Sequence, residues 1–370
     1  MNTNNLVCTA AAAVGQPQMP LLKLALDVHA DSIVVAPMFD AVLKPPRRFR
    51  AVGLLEWVAQ QQAAAWRVVS CYEAGPFGYT LHRQLTALGV TNYVIRPRDW
   101  DSEHKRVKTD GTDAGAMLVA LDRFVAGQRQ ALCVVRVPTE SEERLRAQSR
   151  LRDQLVRQKK RLAQQGRGVA LQFGYRLRGR WFGPRNWPRW QQQLPEWLLA
   201  LLRPMHESVG LLEHQVRALT KQIEAAAPVG LPVGVGALTA EILRREVGDW
   251  KRFRNRRQVA SYTGLVPSEH SSGPTRRQGS VTKCGNPRLR WALCEVVWRL
   301  VRYQPDYRLV QKWKPRILDA HTSAGKRKQA LVALARGFAI DWWRLQTGQT
   351  TAQKLGLRLT TDLDGAASRA

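Results

Sequence analysis

Between Ser261 and Arg290 the chain reads SYTGLVPSEHSSGPTRRQGSVTKCGNPRLR, with Ser271, Ser272 and Gly273 at its centre. A serine hydroxyl attacks only when something removes its proton or stabilises the charge that develops as it reacts. Arg276, Arg277, Lys283, Arg288 and Arg290 follow closely, and each is a cation able to bind phosphate. Pro267, Gly273, Pro274, Gly279, Gly285 and Pro287 disfavour regular structure, so the stretch is expected to be a loop that returns to a helix near Pro287. Such a loop would cradle a phosphodiester beside a nucleophile. Composition alone favours the plainer reading, an ordinary basic surface loop with turn serines.

A second group of residues suits metal chemistry. Asp27 lies in the apolar run LALDV, where a lone carboxylate would be costly to bury, and Glu73 ends the apolar run WRVVSCYE. Asp110 and Asp113, in KTDGTDAGAMLVAL, stand three apart where a helix is expected to begin, so they share a face. Hard carboxylate oxygens suit Mg²⁺, with Mn²⁺ as the alternative; Mg²⁺ retains waters and takes further ligands from substrate phosphates. Singly, each acid has a plain structural reading as a strand-end turn, a helix N-terminal charge or a cap. On neighbouring elements, the four together make a phosphoryl-transfer metal site.

The elements that must position these acids follow from hydrophobic periodicity. LLKLALDVHA, SIVVAPMF and PRRFRAV read as three short strands, LLEWVAQQQAAAW as a helix, WRVVSCYEA as a strand, GYTLHRQLTALG as an amphipathic helix and NYVIRP as a strand. With the helix near Asp110, that is the element order of the α/β ribonuclease H-like fold, expected over residues 20–137 after a loose leader at 1–19.

Thr139 and Glu142 form a capping-box pattern that opens a long charged helix. Residues 141–190 hold fourteen Arg plus Lys against three acids, and Trp181, Trp187 and Trp190 alternate there with Arg178, Arg180, Arg185 and Arg189. This is either a surface for single-stranded or looped RNA or a hairpin tip whose tryptophans pack inward. Leu198, Leu202, Met205, Val209, Leu212, Val216, Leu219 and Ile223 recur in steps of four and three, a heptad seam whose partner is the preceding helix or a second copy. Pro204 within it predicts a kink or a late start. Residues 138–227 are therefore expected to be a helical coiled-coil region. A mainly α C-terminal domain should follow over 228–350, then a tail, 351–370, frayed beyond about Gly356. In PVGVG, Gly234 and Gly236 feed a helix, the form of a helix-hairpin-helix turn that holds a DNA phosphate on its amides.

Composition narrows the partners. The 370 residues carry 58 Lys plus Arg against 29 Asp plus Glu, a net charge of +29, while 44% hydrophobic content supports folded cores. Such an excess marks a polyanion binder, nucleic acid first. Five widely spaced cysteines form no C-x-x-C pair, which points to a reducing cytoplasm without disulfides or zinc. No apolar stretch is long enough to span a membrane, and no G-x-x-x-x-G-K-[ST] loop provides for a nucleotide cofactor.

LALDVHADSIVVA, YEAGPFGYTLHRQLTALGV, VKTDGTDA and GLVPSEHSSG with RRQGSVTKCGN, in that order, resemble the DEDD transposases of bacterial insertion sequences. The type is the one-ten or eleven-eleven type, related to Piv-type DNA invertases, and the resemblance covers residues 21 to about 345. It implies a resolvase-like ribonuclease H-type domain with Asp27, Glu73, Asp110 and Asp113 as Mg²⁺ ligands. It further implies a serine transposase domain with Ser272 as nucleophile; Ser271, one residue earlier, is the alternative. The resemblance also implies donor and target DNA as substrates and a structured bridge RNA from the element's non-coding end. Dimers or tetramers in which the metal domain of one subunit meets the serine domain of another, and a cytoplasmic, nucleoid-associated location, belong to the same picture. The family's glycine turn has the form P-G-I-G, whereas this chain has Pro232-Val233-Gly234-Val235-Gly236. Two other readings of the residues stay open: a metal-only nuclease like a Holliday-junction resolvase, and a nucleic-acid-binding protein without catalysis.

Overall fold

Along Leu21–Val28 (β1), Leu22, Leu24 and Leu26 alternate with Lys23, Ala25 and Asp27, so the two sets face opposite sides of a sheet. The computed structural model describes residues 19–98, 110–270, 275 and 277–361, with residues 110–112 described by backbone alone. The chain divides between Val137 and Pro138 into two compact units.

In the first unit, β1 is followed by Ile33–Phe39 (β2), Val42–Leu43 (β3), Arg47–Phe49 (β4), helix Ala51–Ala63 (α1), Arg67–Glu73 (β5), helix Thr80–Ala87 (α2), Thr91–Ile95 (β6) and helix Asp110–Val125 (α3). The expected third strand, PRRFRAV, is strand only at β4, because α1 has begun by Ala51, and β3 is an additional two-residue piece; both pair with β2. Sheet order is β3-β2-β1-β5-β6. β1 and β2 are antiparallel, whereas β1–β5 and β5–β6 are parallel. Leu22, Leu24 and Leu26 pack with Leu54, Trp57 and Val58 of α1 and Leu85 of α2. On the other face Ala25, Val69 and Cys71 pack with Ala114, Met117, Leu118 and Leu121 of α3. This architecture is compatible with a ribonuclease H-like domain.

The second unit opens with helix Glu140–Gln172 (α4). Both halves of its capping box are formed: Thr139 Oγ1 accepts from the Glu142 amide at 3.2 Å, and the Thr139 amide donates to Glu142 Oε2 at 2.9 Å. Trp187–Gln193 (α5) and Glu196–Glu224 (α6) follow. Gln148 bonds Gln222, Arg152 bonds Thr220 and Lys159 pairs with Glu213, so α6 runs antiparallel along α4. The partner of the leucine seam is thus α4 of the same chain. Of that partner's buried residues, Ala170 packs with Leu198, Leu199 and Leu202 of α6, Ala163 and Gly166 lie under Trp181, and Ser149 meets Arg245. α6 begins eight residues before Pro204 and continues through it, so of the two expectations, a kink or a late start, the late start does not occur. Residue 204 and the carbonyl it leaves unpaired, on Ala200, are both at exposed positions.

The remaining elements are helices Ala237–Val247 (α7) and Arg256–Thr263 (α8), strands Pro267–Glu269 (β7) and Gln278–Val281 (β8), and helices Pro287–Tyr303 (α9), Arg308–Leu318 (α10), Ala324–Gln346 (α11) and Ala352–Leu355 (α12). Their core centres on Val247, Leu293, Val297, Leu300, Leu334 and Phe338. Leu355 and Leu357 join it, and the Thr360 amide donates to Leu231 O at 2.9 Å. Residues 357–360, expected to fray, are docked because two leucines and a backbone bridge hold them.

One buried carboxylate ties α4, α7 and α9 together. Glu246 of α7, 1% exposed, accepts two bonds from Arg150 of α4 at 3.2 and 3.3 Å and one from Asn286 Nδ2 at 2.7 Å. Asn286 in turn caps α9 by accepting from the amides of Arg288 and Leu289.

Two stability predictions follow from this packing. The Trp181 indole is fully buried against Gly166 and donates to Ala163 O at 2.9 Å, and a Cβ at Gly166 would fall on its ring. Gly166→Ala should therefore lower unfolding free energy by roughly 1–3 kcal/mol in urea denaturation. Glu246→Ala leaves the Asn286 amide without its acceptor and should cost about 1–3 kcal/mol. It should also speed tryptic cleavage at Lys283, whereas Gly166→Ala should not.

Candidate active site

The acids of the first unit meet through strand register. Ala25 pairs with Cys71 and Leu26 with Tyr72, and continuing that stagger by one residue brings Asp27 beside Glu73 at the carboxyl ends of two parallel strands. Both positions lie on the α3 side of the sheet, by alternation with Ala25 and Cys71. Lys23, near the start of β1, pairs with Asp122, near the end of α3, at 2.6 Å, so helix and strand run in opposite directions. From Lys23 to Asp27 the strand advances roughly 13 Å. From Asp122 back to Asp113 the helix covers roughly the same distance. The first turn of α3 therefore arrives level with Asp27. Asp113 is half-buried there, beside the fully buried Ala114, and Asp110 begins the same turn, its side chain lying outside the described residues.

Two neighbours of this edge were not anticipated. His29 Nε2 lies 3.2 Å from Asp27 Oδ2, and the Arg98 amide donates to Glu73 Oε1 at 3.3 Å. His29 stands only two residues beyond Asp27, a signal the sequence carries; Arg98 arrives through strand pairing, which it does not. Beneath the edge, burial and then the charge of Glu73 push the Cys71 thiol far up.

Among the described residues no three His, Cys, Asp or Glu side chains are gathered closely enough to hold a metal ion. Mg²⁺ demands less, because waters and substrate phosphates complete its octahedron around one or two carboxylates. Asp27 and Glu73, hard oxygen donors side by side, fit that requirement.

The serine segment is more regular than expected. β7 and β8 form an antiparallel pair, Pro267 opposite Val281 and Glu269 opposite Gln278, and the His270 amide donates to Arg277 O at 2.9 Å. Prolines and glycines disfavour strands in general, yet a two-stranded pair tolerates them at its edges. Ser271, Ser272, Gly273, Pro274 and Arg276 lie in the connection of this hairpin, outside the described residues. At its foot, Gly264 ends α8 in the left-handed region at φ 65°, and a Cβ on Gly285 would come within 2.6 Å of the Tyr262 carbonyl and the Gly264 amide. Only glycine allows that crossing.

The basic residues divide into two kinds. Arg277 and Lys283 are exposed. Arg288, expected to bind phosphate, is instead 19% exposed and ion-paired with Asp153 of α4, so its charge is spent within the fold. Arg290 Nη1 donates to Lys283 O at 3.1 Å and braces the foot of the hairpin.

In the α4–α6 tip, Arg178, Arg180 and Arg185 are exposed, and Arg180 reaches Glu213 at 2.7 Å. Trp187, a candidate either to stack on a base or to pack inward, is buried against Trp181 and lies parallel to the His206 ring at 4.2 Å. Its rings fill the tip, and burial lowers the pKa of His206 beneath it. Farther along, Gly234 takes φ 94°, and Gly236 precedes α7 without a side-chain cap. No helix among the described residues is long and apolar enough to cross a membrane.

Residues 232–311, from the glycine turn through the serine hairpin to α10, match the transposase IS116/IS110/IS902 family. Over 303 residues the chain is 31% identical to a putative transposase, y4rJ, of Sinorhizobium fredii, covering 74% of this chain and 75% of the relative. It is 27% identical to the transposase of insertion sequence element IS1328 from Yersinia enterocolitica, over 83% of this chain and 91% of that one. For the transposase of IS1111A from Coxiella burnetii the figures are 27%, 73% and 75%. The protein therefore belongs to the IS116/IS110/IS902 family of insertion-sequence transposases, enzymes that recombine DNA by phosphoryl transfer.

Proposed function

We propose that the protein cuts and exchanges DNA strands through a phosphoserine intermediate, with Ser272 as the nucleophile and Mg²⁺ held by Asp27, Glu73, Asp110 and Asp113. The observation that carries this reading is the register of β1 and β5, which sets Asp27 beside Glu73 at the end of the sheet toward which the first turn of α3 points. When bound, Mg²⁺ would supply Lewis-acid stabilisation of the phosphate charge. The Ser272 Oγ forms a bond to phosphorus as the bond from phosphorus to the leaving deoxyribose oxygen breaks. The serine proton passes to a base, and the leaving oxygen gains one. Bond energy is conserved in the serine phosphodiester, so rejoining needs no nucleotide. Arg276, Arg277 and Lys283, which follow Ser272 closely in the sequence, would offset charge on the phosphate.

A bridge RNA would specify the sites by base pairing. The +29 charge and the exposed Arg178, Arg180 and Arg185 suit an RNA partner, while the Gly234–Gly236 turn suits a DNA backbone. Strand exchange joins two duplexes, which calls for a dimer or tetramer working on the bacterial chromosome.

The test incubates full-length protein with labelled donor DNA, Mg²⁺ and the RNA transcribed from the element's flank, followed by denaturing gel and peptide mass spectrometry. A DNA adduct at Ser272 that disappears in Ser272→Ala is the expected result; cleavage without any adduct would instead favour the water-using nuclease. Asp27→Asn should reduce cleavage by more than the roughly 10–100-fold that losing an outer-shell partner costs. Alkylation by iodoacetamide checks that such variants stay folded. Exposed Cys133 and Cys284 should react, and buried Cys71 should react only after unfolding.

A further inference from the structure

The outer face of α9 has no role in the chemistry above, yet its composition is unusual. Leu289, Leu293, Val296, Val297 and Leu300 bury the inner face. On the opposite side Trp291 and Trp298, two turns apart, are 54% and 53% exposed. Arg302 continues their stripe one turn on, and Arg299 and Tyr303 flank it, Tyr303 being 41% exposed. Large aromatic rings left half in water along one helix are not needed for a core that leucine and valine already fill.

Charge says what covers this face. Among the described residues neither Arg299 nor Arg302 pairs with a carboxylate; the Arg302 guanidinium rests over the Tyr303 ring at 5.3 Å. Glu295 is the one acid on the stripe. Trp298, Arg299, Arg302 and Tyr303 also line an open cleft of about 540 Å³ with Val233 and Gly234. Gly234 closes that cleft against the helix, since a Cβ there would come within 3.3 Å of the Arg299 backbone. A second copy of a chain carrying +29 would bring more cations to the same place, whereas a polyanion neutralises those present.

We propose that the outer face of α9 is a single-stranded nucleic-acid track, with unpaired bases stacking on Trp291 and Trp298 and phosphates held by Arg299 and Arg302. Unpaired bases are required because a duplex keeps its base faces stacked inside. From Trp291 to Arg302 the helix rises roughly 17 Å, enough for about five stacked nucleotides at ~3.4 Å each. The track begins two turns or less beyond the foot of the serine hairpin and ends at the glycine turn, so it would hold a strand or RNA loop running past the hairpin. This rests on the reading of the protein as a nucleic-acid recombinase, but on none of its chemistry.

Binding in a Ser272→Ala background without Mg²⁺ separates the two. Fluorescein-labelled oligothymidylate and a duplex of equal length are titrated with full-length protein by anisotropy at several salt concentrations. Trp291→Ala with Trp298→Ala should weaken single-strand binding by at least roughly tenfold, as loss of base stacking does. Trp298→Phe should keep most of the affinity, and Arg302→Ala should lower the salt slope by about one. The urea midpoint checks that each variant is folded. Unchanged single-strand affinity in the folded double variant, or equal losses for duplex and single strand, would overturn the proposal. So would loss of self-association in sedimentation with oligonucleotide affinity intact, which would make the face a subunit contact. An absent serine adduct in the cleavage assay would leave all these results unaffected.

Discussion

Twenty-nine acids must serve fifty-eight cations, and the second unit depends on where the few available carboxylates are spent. Glu241, Glu246 and Asp341 are almost completely buried, and each meets more than one partner. Glu241 holds Arg244 and Arg245, Glu246 holds Arg150 and Asn286, and Asp341 holds Tyr307 and Arg308. A buried carboxylate without such partners would be destabilising, and so would a buried guanidinium such as that of Arg245, 1% exposed. Pairing them inside lets arginine-rich helices pack. It also leaves most of the remaining positive charge outside, where only a polyanion can balance it.

The same constraint explains what the sequence discloses. In the first unit, the strands and helices were legible because apolar residues alternate or recur on one face, and β1, β5, β6 and α1 to α3 stand close to where that periodicity puts them. The identity of the acids was legible too, since Asp27 interrupts an apolar strand. Their juxtaposition was not. It depends on a parallel stagger between β1 and β5 and on the direction of α3, and the Lys23–Asp122 pair that reports this direction spans 99 residues.

In the second unit, residue type misled where burial decides. Trp187 and Trp181 alternate with arginine, a pattern that fits stacking platforms as well as inward packing, and only the slot left by Gly166 and Ala163 on α4, which the Trp181 ring fills, decides for packing. Arg288 looks like a phosphate ligand until Asp153, 135 residues away, proves to be its partner. The segment around Ser272 reads as irregular from its prolines and glycines, but local propensity gives way to the β7–β8 pairing that frames its ends.

Two classes of arginine result, and sequence cannot separate them. Arg150, Arg245 and Arg288 are held by carboxylates as parts of the framework, so added salt should disturb them little. Arg277, Arg299 and Arg302 are exposed on a chain of net charge +29, whose uncompensated like charges repel in the free protein. Occupancy by nucleic acid removes that repulsion, so any such ligand stabilises the folded state by mass action and its affinity falls steeply with ionic strength. α9 shows both behaviours within one helix. Its first turn is anchored through Asn286 and Arg288 to buried or ion-paired acids, while Arg299 and Arg302 three turns later face outward and meet no carboxylate among the described residues. The position of a scarce carboxylate, more than the arginine itself, determines which role each arginine takes.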